Sequence, residues 1–164
     1  MKPLTASEIR ASFVNATRGE IDRVPMPGLH EVVWDDREYL GWRDHSAPQR
    51  GYLVVWRDDE PVGLVLRAAE NHGRVGSAMC SLCATAQPSG QVTMFSAARA
   101  GDAGRAGNTV GTYICADLAC SILIRIAPPP YELQPEPEAL IARRSATLKA
   151  RLHAFTTRVL DDAA

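Results

Sequence analysis

The sequence predicts an α+β fold in which a four-cysteine zinc finger is packed with a small antiparallel sheet and flanking helices. Three observations predict it. The four cysteines fall in two tight pairs, Cys80 with Cys83 and Cys115 with Cys120. Two runs rich in apolar and β-branched residues, 51–56 and 62–68, flank a polar loop and read as a hairpin. Near the end of the chain, Leu140, Ile141, Leu148, Leu152, Phe155 and Val159 recur on one face of a helix spanning about 138–160.

The cysteines carry the strongest chemical signal. Four thiolates complete a tetrahedral shell for Zn²⁺, and no cysteine is left over, so Cys80, Cys83, Cys115 and Cys120 are the expected ligands. A closed shell has no open position for water or substrate, which makes the metal structural rather than catalytic. The competing reading is a redox C-x-x-C beside two unrelated thiols. The close spacing of the second pair argues against it.

Length and charge bound the rest. A chain of 164 residues is expected to form one domain, 1–164, with the finger within about 76–126. Its hydrophobic fraction of 46% and charged fraction of 23% are those of a soluble globular protein. A formal net charge of −1 gives no global basic field for nucleic acid. No apolar run is long enough to span a bilayer, and the first residues meet charge at once, without a signal-peptide core. The expected location is the cytoplasm, where thiols stay reduced and paired cysteines more often bind metal than form disulfides.

Taken in order, Thr5-Ala6-Ser7-Glu8 reads as a capping box that starts a helix with Ile9, Phe13 and Val14 on one face, and Gly19 as its stop. Residues 22–49 read as irregular, with 32–34 as a short extended piece and 36–42 as a short helix or turn. The hairpin of 51–56 and 62–68 follows, with 57–61 as its loop. Residues 91–97 and 109–114 read as two further strands, joined by a loop of small residues, 98–108, that carries Arg99 and Arg105. From Cys115 onward Leu118, Ile122 and Ile126 recur every four residues and predict a helix, which Pro128-Pro129-Pro130 ends.

Knuckle, hairpin, then a helix carrying the last ligands is the order of a treble-clef zinc finger. The residues Leu40-Gly41-Trp42-Arg43-Asp44, Pro48-Gln49-Arg50, Met79-Cys80-Ser81-Leu82-Cys83, Ala98-Arg99-Ala100-Gly101 and the stretch from Gly107 to Ser121 resemble the FBP-type family. Its zinc-finger domain is shared with the fusidic-acid resistance proteins, which bind elongation factor G. The resemblance runs from about Ile9 to Cys120. It implies a treble-clef zinc domain with all four cysteines as ligands, and a translation-factor or ribosomal partner. The resistance proteins carry a larger helical domain ahead of the finger, whereas one short helix and an irregular segment stand ahead of the first hairpin here.

No catalytic constellation is present: there is no G-x-S-x-G, Walker loop, H-E-x-x-H or dinucleotide fingerprint, and the acidic pairs Asp35-Asp36 and Asp58-Asp59 fall in loops. The chain is therefore expected to be a non-enzymatic zinc-binding protein that binds elongation factor G or another part of the translation machinery. The alternative is a finger that binds nucleic acid such as ribosomal RNA. Arg99, Arg105, Arg43 and Arg50 are the candidate partner contacts in either case, since guanidinium groups suit carboxylate or phosphate. Trp34, Trp42 and Trp56 are expected in the core, and His30, His45, His72 and His153 at the surface.

Overall fold

The computed structural model describes residues 1–70, 76–129 and 131–161; His72 and Pro130 lie outside the described residues. The chain opens with α1 (Ala6–Ser12). The Thr5 hydroxyl accepts the Glu8 amide while the Glu8 carboxylate accepts the Thr5 amide, which is the expected capping box. The helix ends sooner than its apolar spacing implies. Phe13 is already extended and bridges to Gly63 in the sheet. Gly19 is not a stop. It lies inside α2 (Arg18–Asp22), which starts from a second capping box, Thr17 with Glu20.

Residues 36–42 are not one helix or turn either. Single 3₁₀ turns at Leu29–Glu31 and Trp34–Asp36 lead into the edge strand β1 (Leu40–Arg43). Then come β2 (Arg50–Arg57) and β3 (Glu60–Ala68). Their loop is shorter than the sequence implies, because the ladder runs on to Arg57 and Glu60. Asp58 and Asp59 make the turn alone, both in the left-handed region, as a right-twisted two-residue hairpin requires.

The finger begins with a small two-stranded sheet, β4 (Ser77–Met79) and β5 (Ala86–Pro88). It continues through β6 (Val92–Ala98), α3 (Gly101–Arg105), β7 (Thr109–Cys115) and α4 (Cys120–Leu123). The 24-residue α5 (Pro137–Leu160) closes the chain. The arginine loop thus contains a helical turn, α3. The expected helix after Cys115 shrinks to α4, because Leu118 sits in a left-handed turn.

The large sheet is antiparallel, in the order β1-β2-β3-β6-β7. Its two halves are unequally joined. Strands β2 and β3 pair along eight positions, but β3 meets β6 only at Arg67–Ser96 and Ala68–Phe95. Beyond that the strands part, and the Asn15 side chain fills the gap. Its amide nitrogen donates to the carbonyls of Val65 (3.0 Å) and Ala98 (3.1 Å), and its oxygen accepts the Val65 amide (2.8 Å).

Alternation along the strands sends side chains to two clusters. One face packs Leu53, Leu64, Leu66 and Phe95 against Leu148, Leu152, Phe155 and Val159 of α5, with the four cysteines in the same cluster. Ile141, also expected on that face, is only half-buried. The other face, over β1–β3, packs Trp42, Tyr52 and Val54 against Ile9, Phe13 and Val24. Of the three tryptophans only Trp42 is in the core; Trp34 and Trp56 are half-buried at the edge of this second cluster, while His30, His45 and His153 are exposed.

Candidate metal centre

Each cysteine pair is set by a tight turn. Cys80 follows β4, and the chain reverses so that the Ala84 amide donates to the Cys80 carbonyl, with Ala84 left-handed. This knuckle points the Cys83 amide at the Cys80 sulfur, 3.4 Å away. Cys115 ends β7. The Leu118 amide returns to the Cys115 carbonyl, and Leu118 at φ 58° redirects the chain so that Cys120 becomes the first residue of α4. The expected strand-to-helix placement of the second pair is what the structure has.

The result is one cluster. All four sulfurs lie within 4.8 Å of one another, and all four residues are buried. Cys80–Cys120 and Cys83–Cys115 are 3.6 Å apart, and Cys115–Cys120 is 3.5 Å. A disulfide needs about 2.05 Å between sulfurs. A tetrahedron of 2.3 Å zinc–sulfur bonds has sulfur–sulfur edges of about 3.8 Å, close to these spacings. The donor set and its geometry therefore fit Zn²⁺ and not a redox pair.

The protonation pattern points the same way. Hydrogen bonds from Cys115 and Cys120 draw Cys80 down to about 7 and Cys83 further down. Cys120 is pushed far above the ordinary thiol value, first by Cys115 and then by Cys80 and Cys83. At Cys115 the contact from Cys120 lowers, but Cys80, Cys83 and burial together outweigh it, and the thiol ends raised. Four buried sulfurs cannot all carry charge at this spacing unless a cation compensates them.

Residues that sequence reasoning passed over complete the surroundings. The Gln87 amide donates to the Cys115 sulfur at 3.2 Å. Tyr39 is fully buried; its hydroxyl donates to the Leu118 carbonyl at 2.7 Å and accepts the Cys120 amide at 3.4 Å. Burial, then the charge of Cys120, hold that hydroxyl well above its ordinary value, so it remains a neutral donor. Gly41 lets β1 approach: a Cβ there would lie 2.6 Å from the Leu118 carbonyl oxygen. The Leu40-Gly41-Trp42 run carried that signal, since glycine beside large apolar residues marks close backbone approach. Nothing in the spacing of Tyr39 or Gln87 pointed to sulfur.

The candidate contact arginines separate. Arg43 is tied down: its guanidinium donates to the carbonyls of Ala116 and Pro48 and lies 5.0 Å from the centre of the Phe95 ring. Its neighbour Asp44 is buried and accepts from the amides of Ser46 and Ala47 and from the Tyr52 hydroxyl. Arg99 and Arg105 line one groove together with Arg67, between residues 14–20 and α3. Arg50 is the cross-strand partner of Arg67. Within the groove's rim Arg105 pairs with Asp102, and Arg99 donates to the Asp161 carbonyl. Next to this groove the outer face of the β6–β7 hairpin exposes Met94 (40%) and Tyr113 (44%), which are cross-strand partners.

The FBP C-terminal treble-clef zinc-finger family matches residues 8–159. The chain belongs to this family. The match extends past Cys120 through nearly all of α5, so the long helix is part of the FBP zinc-finger unit as the family defines it. Among solved structures, the fusidic acid resistance protein FusC is similar in fold, with a TM-score of 0.61 at 16% identity. The alignment covers 97% of this chain and 60% of FusC, so the chain spans somewhat less than two thirds of that protein. No curated protein matches the sequence.

Proposed function

We propose that this FBP-family chain is a zinc-stapled binding module, with Cys80, Cys83, Cys115 and Cys120 as the four ligands of one structural Zn²⁺ and no chemistry of its own. Four thiolates close the shell, so the metal shapes a surface and does not activate water. The partner is elongation factor G or another part of the translation machinery. Fold similarity to FusC and membership of the FBP family support that direction. A cytoplasmic location goes with such a partner. It agrees with the lack, among the described residues, of a helix long and apolar enough to cross a membrane.

The observation that carries this reading is the outer face of the β6–β7 hairpin. Met94 and Tyr113 form an exposed apolar pair there, against a groove lined by Arg67, Arg99 and Arg105. An aromatic anchor beside arginines is the composition of a protein-binding hot spot. The same groove favours a second reading, binding of ribosomal RNA through phosphate contacts. The net charge of −1 and the acidic Glu20 in the groove weigh against a wide phosphate footprint.

Titration calorimetry of the zinc-loaded chain with purified elongation factor G, at two salt concentrations, tests this. The expected result is binding that falls by at least about tenfold in Tyr113→Ala, the order of a 1.4 kcal/mol hot-spot loss. The double variant Arg99→Ala/Arg105→Ala should weaken binding and leave zinc content unchanged. No heat of binding at high micromolar protein rules this partner out. Binding of RNA that drops steeply with salt moves the second reading to first place.

A further inference from the structure

Sharing no lining residue with the arginine groove, a cavity of about 470 Å³ opens between the β2–β3 turn, the Arg37–Glu38 segment and the middle of α5. We propose that it is a binding site for a small phosphate ester. The volume lies within the roughly 300–1,000 Å³ of small-molecule sites.

The charges in its wall decide the class of ligand. Both carboxylates there are already committed. Asp59 is paired with Lys2 at 2.7 Å. Glu38 takes the Arg125 guanidinium at 3.0 and 3.1 Å and the Ser145 hydroxyl at 2.7 Å. The Met1 ammonium is taken up by the carbonyls of Trp34 and Arg37, and the remaining cations have no carboxylate partner among the described residues. Arg57 donates one nitrogen to the hydroxyls of Thr156 and Thr157, which are neutral, and Arg37 donates only to the carbonyl of its neighbour Asp36. Lys149 is exposed and makes no hydrogen bond or ion pair with a described residue. His153 lies one helical turn beyond Lys149 on the same wall. Three cationic side chains from three separate segments thus line one cavity with no carboxylate paired to them among the described residues, in a chain whose net charge is −1.

Convergence from several directions suits a group with several anionic oxygens, and the fork of Arg57 suits phosphate in particular. A monocarboxylate would engage at most one or two of the cations. The rest of the wall, Val55, Trp56 and Ala150, is apolar and would take the organic portion of an ester. Arg57 is held by α5 through its threonine bonds, so one donor is already positioned before any ligand arrives.

The test is an NMR titration of the zinc-loaded full chain, isotope-labelled, at fixed ionic strength. The probes are phenyl phosphate, inorganic phosphate and benzoate. Phenyl phosphate is expected to give saturable shifts confined to residues 37–38, 55–59 and 149–153, and to bind more tightly than inorganic phosphate or benzoate. Lys149→Ala, which changes an exposed side chain with no hydrogen bond or ion pair to a described residue, should weaken phenyl phosphate about fivefold, the loss expected for one charge-assisted contact at a partly exposed site. Shifts that do not saturate, that map to the Arg67 groove, or that are unchanged in Lys149→Ala would overturn the proposal. So would equal binding of benzoate and phenyl phosphate.

Discussion

The two halves of the large sheet are held together by different physics. In the β1–β3 half, a long ladder and a two-residue turn carry Trp42, Tyr52 and Val54 into a cluster with Ile9 and Phe13 that contains no cysteine. In the β6–β7 half, the ladder to β3 is two pairs long, and the four buried sulfurs join the cluster on the α5 side of the sheet, which Leu53, Leu64 and Leu66 also enter from β2 and β3. The first half gains its stability from apolar area removed from water. The second adds four buried thiols to its hydrocarbon core, and needs a cation before those groups favour folding. A local staple can thus replace core in one part of a small domain while the rest of the same sheet does without it.

The largest effect should come from removing a ligand. Cys120→Ala is expected to abolish stoichiometric zinc, measured by elemental analysis, and to unfold the finger, since structural zinc contributes on the order of 10 kcal/mol to such domains. Full zinc retention by this variant would break the proposed ligand set.

A smaller loss is expected at the seam. Asn15→Ala leaves the Val65 amide and the carbonyls of Val65 and Ala98 without their side-chain partner. These groups are half-buried on the groove wall, where water can take the place of the lost amide, so urea unfolding should show a loss of about 1 kcal/mol, the low end of the cost of an unsatisfied polar group, with zinc still bound. An effect below about 0.5 kcal/mol would mean that the two halves are joined by packing and not by this clamp.

The smallest effect depends on pH. Glu38 connects the finger's Arg125 and Ser121 to Ser145 of α5. Burial pushes its carboxyl up, but the hydrogen bonds from Arg125, Ser145 and Ser121 prevail and hold it below the ordinary 4.5. A carboxylate with a depressed folded pKa contributes stability that is present above the unfolded value and lost as pH falls through the folded one. The stability difference between wild type and Glu38→Gln should therefore be largest near pH 6 and shrink below about 4.5, the ordinary carboxyl value. A difference that is flat from pH 6 to pH 3 would show that the ion pair does not stabilise the fold.

Much of this arrangement was legible in the residues. Thr5 and Glu8 announced α1, the apolar runs announced β2 and β3, and the paired cysteines announced the metal cluster. Where the reading failed, a tertiary constraint overrode a local pattern. Leu118, Ile122 and Ile126 have helical spacing, yet Leu118 must turn left-handed so that Cys115 and Cys120 can meet. The strand at Leu40–Arg43 was hidden because four residues are too few for a pattern, and its register comes from β2. Thr17 and Glu20 did spell out α2, but Gly19 between them reads as a stop when a helix is already assumed to be running. Nothing local to Arg43 shows that Phe95 and Ala116 lie beneath it.

Hydrogen exchange on the intact chain, before and after a strong zinc chelator, tests the central claim most directly. Chelation should remove protection from residues 77–126 while the amides of Leu53, Val55, Val62 and Leu64 in the β2–β3 ladder keep most of theirs. Uniform loss of protection along both halves, or no loss in the finger, would contradict the account.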